Sequence, residues 1–461
     1  MKVEQIYTKC LSQMAYYLIS GKEAAVIDPL RDIKPYLDRA EKDGVKIKYV
    51  FETHFHADFV SGHLDLARET GATIVYGTDA NPKFNAHIAE DCEEFQVGET
   101  TLRVLHTPGH TLESVCYLLK DKFGKEQAVF TGDTLFVGDV GRPDLAQDVA
   151  NMTKEQLASL LYNSLHEKLM PLPEHVLVYP GHGAGSACGK NISKETVSTI
   201  GEQQVGNYAF RADLNKADFV KEVTKGLLPP PSYFPENAKL NREEIESFEK
   251  VKSRSLQPLN PDEFEKEIAK GATVLDTRSP ETFANGYIPS ALNIGLEGDF
   301  APWAGTLITD IRQTILLVCE NGQEEDAITR LARIGYDQVA GFLKGGIDAW
   351  KLAGENMENI TSVSPEEFAG RYKQQDVDVA DVRRPGEYDS GHVKGAVNVP
   401  LDYIKEEAKQ KIPQEKPVYI HCAGGYRSMI AASVLKRSGW EHVLNIKKGF
   451  KAISEAGVTT E

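Results

Sequence analysis

The chain of 461 residues lacks a long apolar run, an excess of positive charge and a dense set of cysteines. No stretch approaches the roughly 18 apolar residues of a membrane helix, and the opening MKVEQIYTKC lacks the apolar run of a secretory signal. We therefore expect a cytoplasmic protein with no membrane partner. A net charge of −16 without a basic stripe argues against nucleic acid as a partner. Six cysteines in a chain of this length do not form a disulfide framework, so free, catalytic or metal-bound thiols are expected.

What is present is an ordinary globular composition, with 41% hydrophobic and 26% charged residues, in a chain too long for one core. Two internal repeats follow a mostly helical stretch: VLDTRSPETFANGYIPSALNI and VADVRRPGEYDSGHVKGAVNV, whose aspartates Asp276 and Asp381 lie 105 positions apart. Each repeat has the length of a domain. We place boundaries near 253 and 358, which gives domains 1–253, 254–358 and 359–461.

Polar clusters in the first domain follow β-branched and aliphatic runs, so they stand at predicted strand ends, where sites are usually built. They lie in THFHADFVSGH, TPGHT, TGDT and PGHG, and their candidate ligands are His54, His56, Asp58, His110, Asp133 and His182. Two metal sites are open on residue types alone. One is a three-histidine zinc site of His54, His56 and His110. The other is a face of two histidines and one carboxylate, from His54, His110 and Asp133, which is typical of non-haem iron.

The order of these motifs resembles the metallo-β-lactamase superfamily. The resemblance implies an αββα sandwich with the site at one edge of its two sheets. In two-metal members a histidine follows the motif aspartate and helps to hold the second metal, but here that residue is Phe59. Phenylalanine has no donor atom, so we expect a site with one metal.

The segment GDVGRPDL, together with ETHFHAD and FTGDTLF, resembles the persulfide dioxygenase branch of that superfamily. This resemblance implies one Fe(II) per chain, held by the histidines and the aspartate of the two-histidine set above. It also implies an outer shell of His56, Asp58 and His182, and a substrate contact from Arg142. The alternative for Arg142 is a structural ion pair with Asp144. Phe59 departs from the branch's common form, which puts the outer shell in doubt more than the iron.

A second candidate site lies in HCAGGYRS, between the predicted strand KPVYI and the predicted helix MIAASVLKRSG. A cysteine at a helix N-terminus has a lowered thiol pKa, and glycines let backbone N–H groups converge on its sulfur. The spacing from Cys422 to Arg427 resembles the rhodanese active loop. That resemblance implies that these two residues are catalytic and that the residues between them bind substrate: Ala423, Gly424, Gly425 and Tyr426.

The equivalent loop of the middle repeat, VCENGQEEDA, contains Cys319 but no arginine. Its carboxylates crowd the place where an anion would bind, and like charges disfavour a thiolate. We therefore interpret the middle repeat as a degenerate rhodanese-like domain. The fold class expected for the whole chain is α/β multidomain, with an αββα sandwich followed by two rhodanese-like domains.

Two more cysteines are candidate accessory thiols. Cys188 follows His182 by six residues in GHGAGSACGK, and Cys10 stands in the loop before MAYYLIS, which in this fold lies near the metal edge. A thiol beside a persulfide can accept its outer sulfur by exchange. The alternative, an ordinary small loop residue, is preferred for Cys10.

As a whole, the chain resembles a persulfide dioxygenase–rhodanese fusion. That resemblance implies oxidation of small-thiol persulfides by O2 to sulfite and thiol, coupled to sulfur transfer that gives or uses thiosulfate. Two alternatives remain: a glyoxalase II-like thioester hydrolase with a rhodanese tail, and a non-enzymatic sulfur-carrier scaffold with a structural metal. The expected partners are the thiol persulfide, O2, and sulfite or thiosulfate, and the expected assembly is a homo-oligomer, a dimer or tetramer.

Overall fold

The structure is a computed structural model that describes residues 1–147, 151–374 and 377–461. It divides into two compact units, one of Met1–Lys250 with Ala332–Gly335 and one of Val251–Leu331 with Tyr336–Glu461. Within these described stretches, no helix has the length and apolar character needed to cross a membrane. The domain boundaries at 253 and 358 stay predictions.

The first unit begins with a six-stranded sheet whose strands lie in chain order. The predicted hairpin of MAYYLIS and AAVIDP is confirmed as an antiparallel pair, and the next three pairings are parallel. The strands are Lys2–Thr8 (β1), Gln13–Ser20 (β2), Glu23–Ile27 (β3), Lys46–Phe51 (β4), Thr73–Tyr76 (β5) and His87–Ile88 (β6).

A second six-stranded sheet packs face to face on the first. Its alternation is visible in β8, where Leu102 and Val104 are buried and Arg103 between them is not. The shared core takes Tyr16 and Phe51 from the first sheet and Val104 and Tyr117 from the second. The strands are Glu94–Val97 (β7), Thr100–His106 (β8), Val115–Lys120 (β9), Glu126–Gly132 (β10), Leu177–Pro180 (β11) and Ser198–Thr199 (β12).

Helices cover the outer face of each sheet. Tyr36 packs on the outer face of the first sheet, and Leu161 and Leu165 pack on that of the second. The predicted αββα sandwich is therefore confirmed. The helices are Lys34–Asp43, His63–Thr70, Lys154–Ser164, Ile200–Gly206, Lys216–Thr224, Phe234–Leu240 and Phe248–Ser255, with a 3-10 turn at Lys9–Leu11 and a π turn at Leu165–Leu169.

The second unit contains two five-stranded parallel sheets with the same strand order, which confirms the internal repeat. In each sheet the strands taken in chain order occupy the spatial order first, fifth, fourth, second, third. The first sheet has Pro258–Leu259 (β13), Thr273–Asp276 (β14), Leu292–Asn293 (β15), Ile315–Val318 (β16) and Val339–Leu343 (β17). The second has Thr361–Val363 (β18), Asp378–Asp381 (β19), Val397–Asn398 (β20), Val418–His421 (β21) and Val443–Ile446 (β22).

Each repeat places the same buried ion pair at the end of its second strand in chain order, β14 in the middle repeat and β19 in the last. Arg278 pairs with Asp276 in the middle repeat and Arg383 with Asp381 in the last, each through two guanidinium nitrogens. The helices are Pro261–Ala269, Pro280–Asn285, Phe300–Leu307, Glu324–Arg333, Gly346–Leu352, Pro365–Gln374, Pro385–Asp389, Ile404–Lys411, Tyr426–Arg437 and Gly449–Glu455, with a 3-10 turn at Leu401–Tyr403.

Candidate active sites

Three buried side chains from different strand ends converge at one edge of the sandwich. His54 follows β4, His110 lies past β8 and Asp133 follows β10. Asp133 Oδ2 lies 3.9 Å from His54 Nε2 and 3.5 Å from His110 Nε2, and each of the three residues is at most 2% exposed. Of the two ligand sets left open above, this donor group contains the carboxylate and leaves out His56.

The hydrogen bonds behind the two histidines assign their tautomers. Thr53 Oγ1 donates to Asp28 Oδ2 at 2.8 Å, so it accepts at 3.0 Å from the Nδ1–H of His54. The Nδ1–H of His110 donates to the carbonyl oxygen of Arg142 at 2.9 Å. Both rings therefore turn Nε2 toward Asp133, and burial lowers the pKa of His54, which favours the neutral form of that ring. Neutral imidazoles oriented from behind are the usual form of metal-binding histidines.

The carboxylate of the triad is itself held from behind. His182 Nδ1 lies 2.8 Å from Asp133 Oδ1 and its Nε2 lies 2.8 Å from Asp58 Oδ2, so one ring bridges two carboxylates. Burial opposes the charge on His182, but the two carboxylates raise its pKa well above the ordinary value. Asp133 Oδ2 remains buried without a hydrogen-bond partner in the described residues. A buried carboxylate oxygen without a hydrogen-bond partner, facing two imidazole nitrogens, fits a bound metal cation.

His56 belongs to a second buried group that the sequence analysis did not identify. Its Nε2 lies 3.0 Å from Asp28 Oδ1 and 3.4 Å from Glu52 Oε2. Burial opposes protonation of His56, but these two carboxylates raise its pKa to about 10. Asp28 follows β3 and Glu52 follows β4, so their position at strand ends was the available signal. This group lies behind the triad and holds the motif loop between β4 and the next helix.

Phe59 occupies the space beside His56 and supplies no donor. It is fully buried and its ring stacks on that of His56, with centroids 4.2 Å apart and an interplanar angle of 29°. Asn241 fixes the loop by donating from Nδ2 to the carbonyl oxygens of His56 and Phe59 at 2.8 and 2.7 Å. The loop is thus packed around an aromatic ring at the position where a second metal would need a histidine.

Arg142 contacts protein groups with every nitrogen of its guanidinium. Nε and Nη2 donate to the two oxygens of Asp144 at 2.6 and 2.8 Å, Nη1 donates to the carbonyl of Ala187 at 3.2 Å, and Nη2 also donates to the carbonyl of Leu228. The residue is 6% exposed. The structure therefore contains the ion pair named as its alternative role, and the substrate contact stays a prediction. Arg142 also acts through its backbone, because its carbonyl oxygen orients His110.

Of the two accessory thiols, Cys188 lies at the site. Its sulfur belongs to a buried donor group with Asp58 and His182. Burial and then the Asp58 charge raise the pKa of the Cys188 thiol well above its ordinary value, so the thiol is protonated at neutral pH. Cys10 is half-buried in the 3-10 turn after β1 and belongs to none of the three donor groups found in the described residues.

The thiol loop lies at the end of β21, and its helix begins at Tyr426, three residues earlier than the predicted Met429. The early start brings the helix N-terminus onto the loop. Gly425, at φ +104°, donates its N–H to Cys422 Sγ at 3.1 Å. Cys422 itself is 1% exposed, while the next two residues, Ala423 and Gly424, are exposed. The predicted approach of backbone N–H groups to the sulfur is confirmed for Gly425.

Arg427, the arginine of this loop, is engaged by a carboxylate that the sequence analysis did not single out. Its Nη1 and Nη2 donate to the two oxygens of Glu387 at 2.7 and 2.8 Å. Glu387 lies in the helix Pro385–Asp389, close to the start of the repeat rather than to the loop. The signal available in the sequence was only a glutamate in RRPGEYDSGH.

Tyr426 of the loop packs on the middle repeat. Its hydroxyl donates to the carbonyl oxygen of Gly295 at 2.8 Å. A Cβ atom at Gly298 would lie 2.3 Å from Cζ of the ring, so only glycine leaves room for it. The two repeats belong to the same compact unit, and one wall of the thiol loop is therefore built by the repeat without a catalytic loop.

The loop of the middle repeat directs its backbone to a carboxylate instead of a thiol. Gly322 donates its N–H to Glu324 Oε2 at 2.9 Å. Burial, with Glu324 close by, raises the pKa of Cys319 to about 12. The sulfur is thus kept as a thiol, which agrees with the interpretation of this repeat as degenerate.

Comparisons with known proteins assign the first part of the chain to one family and the two repeats to another. The metallo-beta-lactamase superfamily profile matches residues 8–182, and the rhodanese-like domain profile matches residues 260–353 and 364–456. A crystal structure of a metallo-beta-lactamase from Staphylococcus aureus subsp. aureus COL is 31% identical with a TM-score of 0.65, over 75% of this chain and 98% of that chain.

Relatives of the first domain include persulfide dioxygenases and hydroxyacylglutathione hydrolases. The human mitochondrial persulfide dioxygenase ETHE1 is 32% identical over 214 residues, 46% of this chain and 75% of that protein. A probable hydroxyacylglutathione hydrolase of Schizosaccharomyces pombe is 33% identical over 190 residues, 40% of this chain and 69% of that protein. Identity alone does not separate the two groups.

Proposed function

This chain belongs to the metallo-beta-lactamase superfamily and carries two rhodanese-like domains after its metallo-beta-lactamase domain, and from this we propose that it is a persulfide dioxygenase with a rhodanese sulfurtransferase. It oxidises small-thiol persulfides with O2 to sulfite and thiol. The thiol loop at Cys422 moves sulfur to or from thiosulfate.

The observation that carries the proposal is the donor set of the first site. Two imidazole nitrogens and one carboxylate oxygen, from His54, His110 and Asp133, lie close together in a buried group. These three side chains would hold an iron ion, which would supply the chemistry between O2 and a soft sulfur anion. A structural zinc site is usually closed by four protein ligands, so this set also speaks against the scaffold alternative.

The residues around the triad have separate tasks. His182 holds Asp133 in one orientation and connects it to Asp58, because each of its two ring nitrogens contacts one carboxylate oxygen. Thr53 and the Arg142 carbonyl fix the rings of His54 and His110. The deep burial of all these groups excludes bulk water from the reacting sulfur, which strengthens each charge interaction there.

Sulfur transfer at the second site needs no oxidant. The Cys422 thiolate attacks the outer sulfur of thiosulfate, the S–S bond of thiosulfate breaks, and sulfite leaves with the electron pair of that bond. The product is a Cys422 persulfide anion. The Gly425 N–H at 3.1 Å and the N-terminus of the helix Tyr426–Arg437 stabilise the sulfur anion on both sides of this reaction.

Hydroxyacylglutathione hydrolysis is the second candidate, because relatives of that name match about as closely. Hydrolases with two metals share the attacking water between them. Phe59 speaks against this candidate, since its buried ring fills the space beside His56 and offers no ligand. Asp58, His182 and Cys188 do form a separate donor group, so the metal count must be measured.

Cys188 fits an accessory role in the proposed chemistry. Its thiol lies with Asp58 and His182 beside the triad, where it can take up the outer sulfur of a persulfide by exchange. Sulfite formed nearby can then remove that sulfur as thiosulfate. Because the pKa of Cys188 is raised by burial and Asp58, the exchange requires a proton acceptor, and the Asp58 carboxylate is the group at hand.

The test is oxygen uptake by iron-loaded full-length protein with a panel of small persulfides, run beside thioester hydrolysis and metal analysis. We expect about one iron per chain and persulfide-dependent oxygen uptake, with sulfite and thiol as products. Thioester hydrolysis without oxygen uptake, in protein with two metals or zinc, would establish the second candidate instead. A catalytically inert protein that retains its metal would support the scaffold.

A further inference from the structure

The positive charge of Arg427, the arginine of the thiol loop, is balanced by a carboxylate of the same repeat. Arg427 makes a two-pronged pair with Glu387, with nitrogen to oxygen distances of 2.7 and 2.8 Å. Such paired charge-assisted hydrogen bonds are among the stronger ones in proteins. The hydrogen bond from Arg427 lowers the pKa of Glu387, so the carboxyl is ionised at neutral pH and the two charges balance. The Arg427–Glu387 pair therefore presents an incoming anion with a net charge near zero, although the guanidinium itself stays charged.

The helix that carries Glu387 does not need a glutamate in order to form. Glu387 does accept from the backbone N–H of Arg384 at 3.1 Å, which satisfies one donor of the first turn. In the middle repeat the corresponding helix starts instead with Ser279, whose hydroxyl accepts from the N–H of Thr282 at 3.1 Å. Thr282 stands 105 positions before Glu387, the same offset as the paired aspartates of the two repeats.

The internal repeat therefore provides a comparison within one chain. The last repeat has both the loop arginine and the glutamate, whereas the middle repeat has neither, with Thr282 in place of the glutamate. The ion pair at the base of each repeat is retained in both, as Arg278 with Asp276 and Arg383 with Asp381. The glutamate is thus present in the repeat that has the loop arginine and absent from the repeat that shares only the fold.

The two classes of sulfur donor differ in charge. Thiosulfate and its product sulfite are dianions, whereas a simple alkyl persulfide and its product thiolate each carry one negative charge. With the Cys422 thiolate, the reacting group carries a total charge of −3 for thiosulfate and −2 for the persulfide. A fully charged Arg427 would favour the first over the second, and the Glu387 carboxylate reduces that difference.

We propose that Glu387 determines the donor specificity of the Cys422 loop: by balancing Arg427, it limits the binding of dianionic thiosulfate and sulfite and favours singly charged persulfides. The inference rests on the proposed sulfur transfer at Cys422. It gives the loop a substrate class, a small-thiol persulfide that carries one negative charge. Glu387 acts through Arg427 and is a specificity residue rather than a catalytic one.

The decisive variant is Glu387→Gln, assayed in the full chain. Glutamine keeps the side-chain length and the acceptor for the Arg384 N–H, as in other capping boxes, and removes only the charge. We expect the KM for thiosulfate to fall by roughly three- to tenfold, the size of effect of one partly exposed charge. The kcat/KM ratio of thiosulfate to 2-hydroxyethyl persulfide should rise by a similar factor, and the rise should shrink as salt is added.

Two further variants serve as matched controls. Glu387→Asp keeps the charge, so its ratio of the two donors should stay near that of the parent protein. Glu387→Thr introduces the residue of the middle repeat and should raise the ratio as glutamine does, which keeps the test available if the glutamine variant does not fold. An unchanged ratio in the charge-removing variants, or an equal loss for both donors, would overturn the proposal. Sulfur transfer that persists in Cys422→Ser would instead overturn the proposed function of the loop.

Discussion

Replacing Asp133 with alanine tests the candidate metal centre at its only carboxylate. The change leaves His54 and His110 with two nitrogen donors and no anion. Loss of a group that merely orients a metal ligand costs about 10- to 100-fold in metal affinity. Loss of the donor itself should therefore exceed about 100-fold, or roughly 2.7 kcal/mol. We expect Asp133→Ala to lose its iron and its persulfide-dependent oxygen uptake.

A variant of His182 provides a reference for the loss of iron affinity expected in Asp133→Ala. His182 touches Asp133 from behind at 2.8 Å and is not in the donor group. His182→Ala should therefore weaken iron binding by only about 10- to 100-fold, in the range of other outer partners. The expected order of iron affinity is parent, then His182→Ala, then Asp133→Ala.

The assay is iron per chain after equilibration with a graded series of chelator, followed by oxygen uptake on the same samples. Thiosulfate sulfurtransferase activity is the internal control for folding, because the thiol loop lies in the other compact unit. Asp133→Ala should keep that activity. Full iron content and undiminished oxygen uptake in Asp133→Ala would refute the assignment, and so would a larger loss of affinity in His182→Ala than in Asp133→Ala.

Three more expectations concern the cysteines. Cys422→Ser should abolish sulfur transfer and leave oxidation of an added small persulfide largely intact, whereas Cys319→Ser should leave both; the reverse pattern would show that the middle repeat is the active one. In a Cys422→Ser background, Cys188→Ala should shift the products from thiosulfate toward free sulfite while oxygen uptake stays measurable, and an unchanged ratio would return Cys188 to a structural role. Because the pKa of Cys319 is about 12, about one part in ten thousand is thiolate at pH 8. Peptide mapping of the folded protein after brief alkylation should therefore find Cys319 unmodified at pH 8, and rapid modification there would contradict the buried, acidic environment described for it.

Much of the first site could be predicted because its residues occupy strand ends. A strand buried on both faces has a recognisable sequence, and the polar residue that follows it has to lie at the edge of the sheet. That reasoning predicts a cluster of six candidate ligands that includes His54, His110 and Asp133, and the resemblance to the persulfide dioxygenase branch selects these three. The absence of a donor at Phe59 could also be read from the sequence, since it depends only on the chemistry of one side chain.

The remaining features depend on contacts between distant parts of the chain. Asp28 lies behind His56, and Glu387 reaches Arg427 across 40 positions. A glutamate near the start of a helix is typical of a helix cap. The sequence therefore gives no sign that Glu387 also pairs with Arg427. The two metal-ligand sets are distinguished by a contact of the same kind, because the His56 ring is directed toward Asp28 and is not part of the triad's donor group. The direction of a side chain in a loop is set by packing against distant residues. Such packing produces no periodic pattern in the local sequence, so it cannot be predicted from that sequence.

The contact between Tyr426 and the middle repeat gives that repeat a structural role in the thiol site of the last repeat. Its own loop contains no arginine, yet Gly295 and Gly298 form the surface on which the loop of the last repeat packs. A substitution at either glycine would therefore alter the support of a thiol that belongs to the other repeat. An excised C-terminal domain would expose the ring of Tyr426 and leave its hydroxyl to water. Rate constants measured on such a fragment would describe a differently supported loop, and the tandem pair is the smallest piece that preserves the native one.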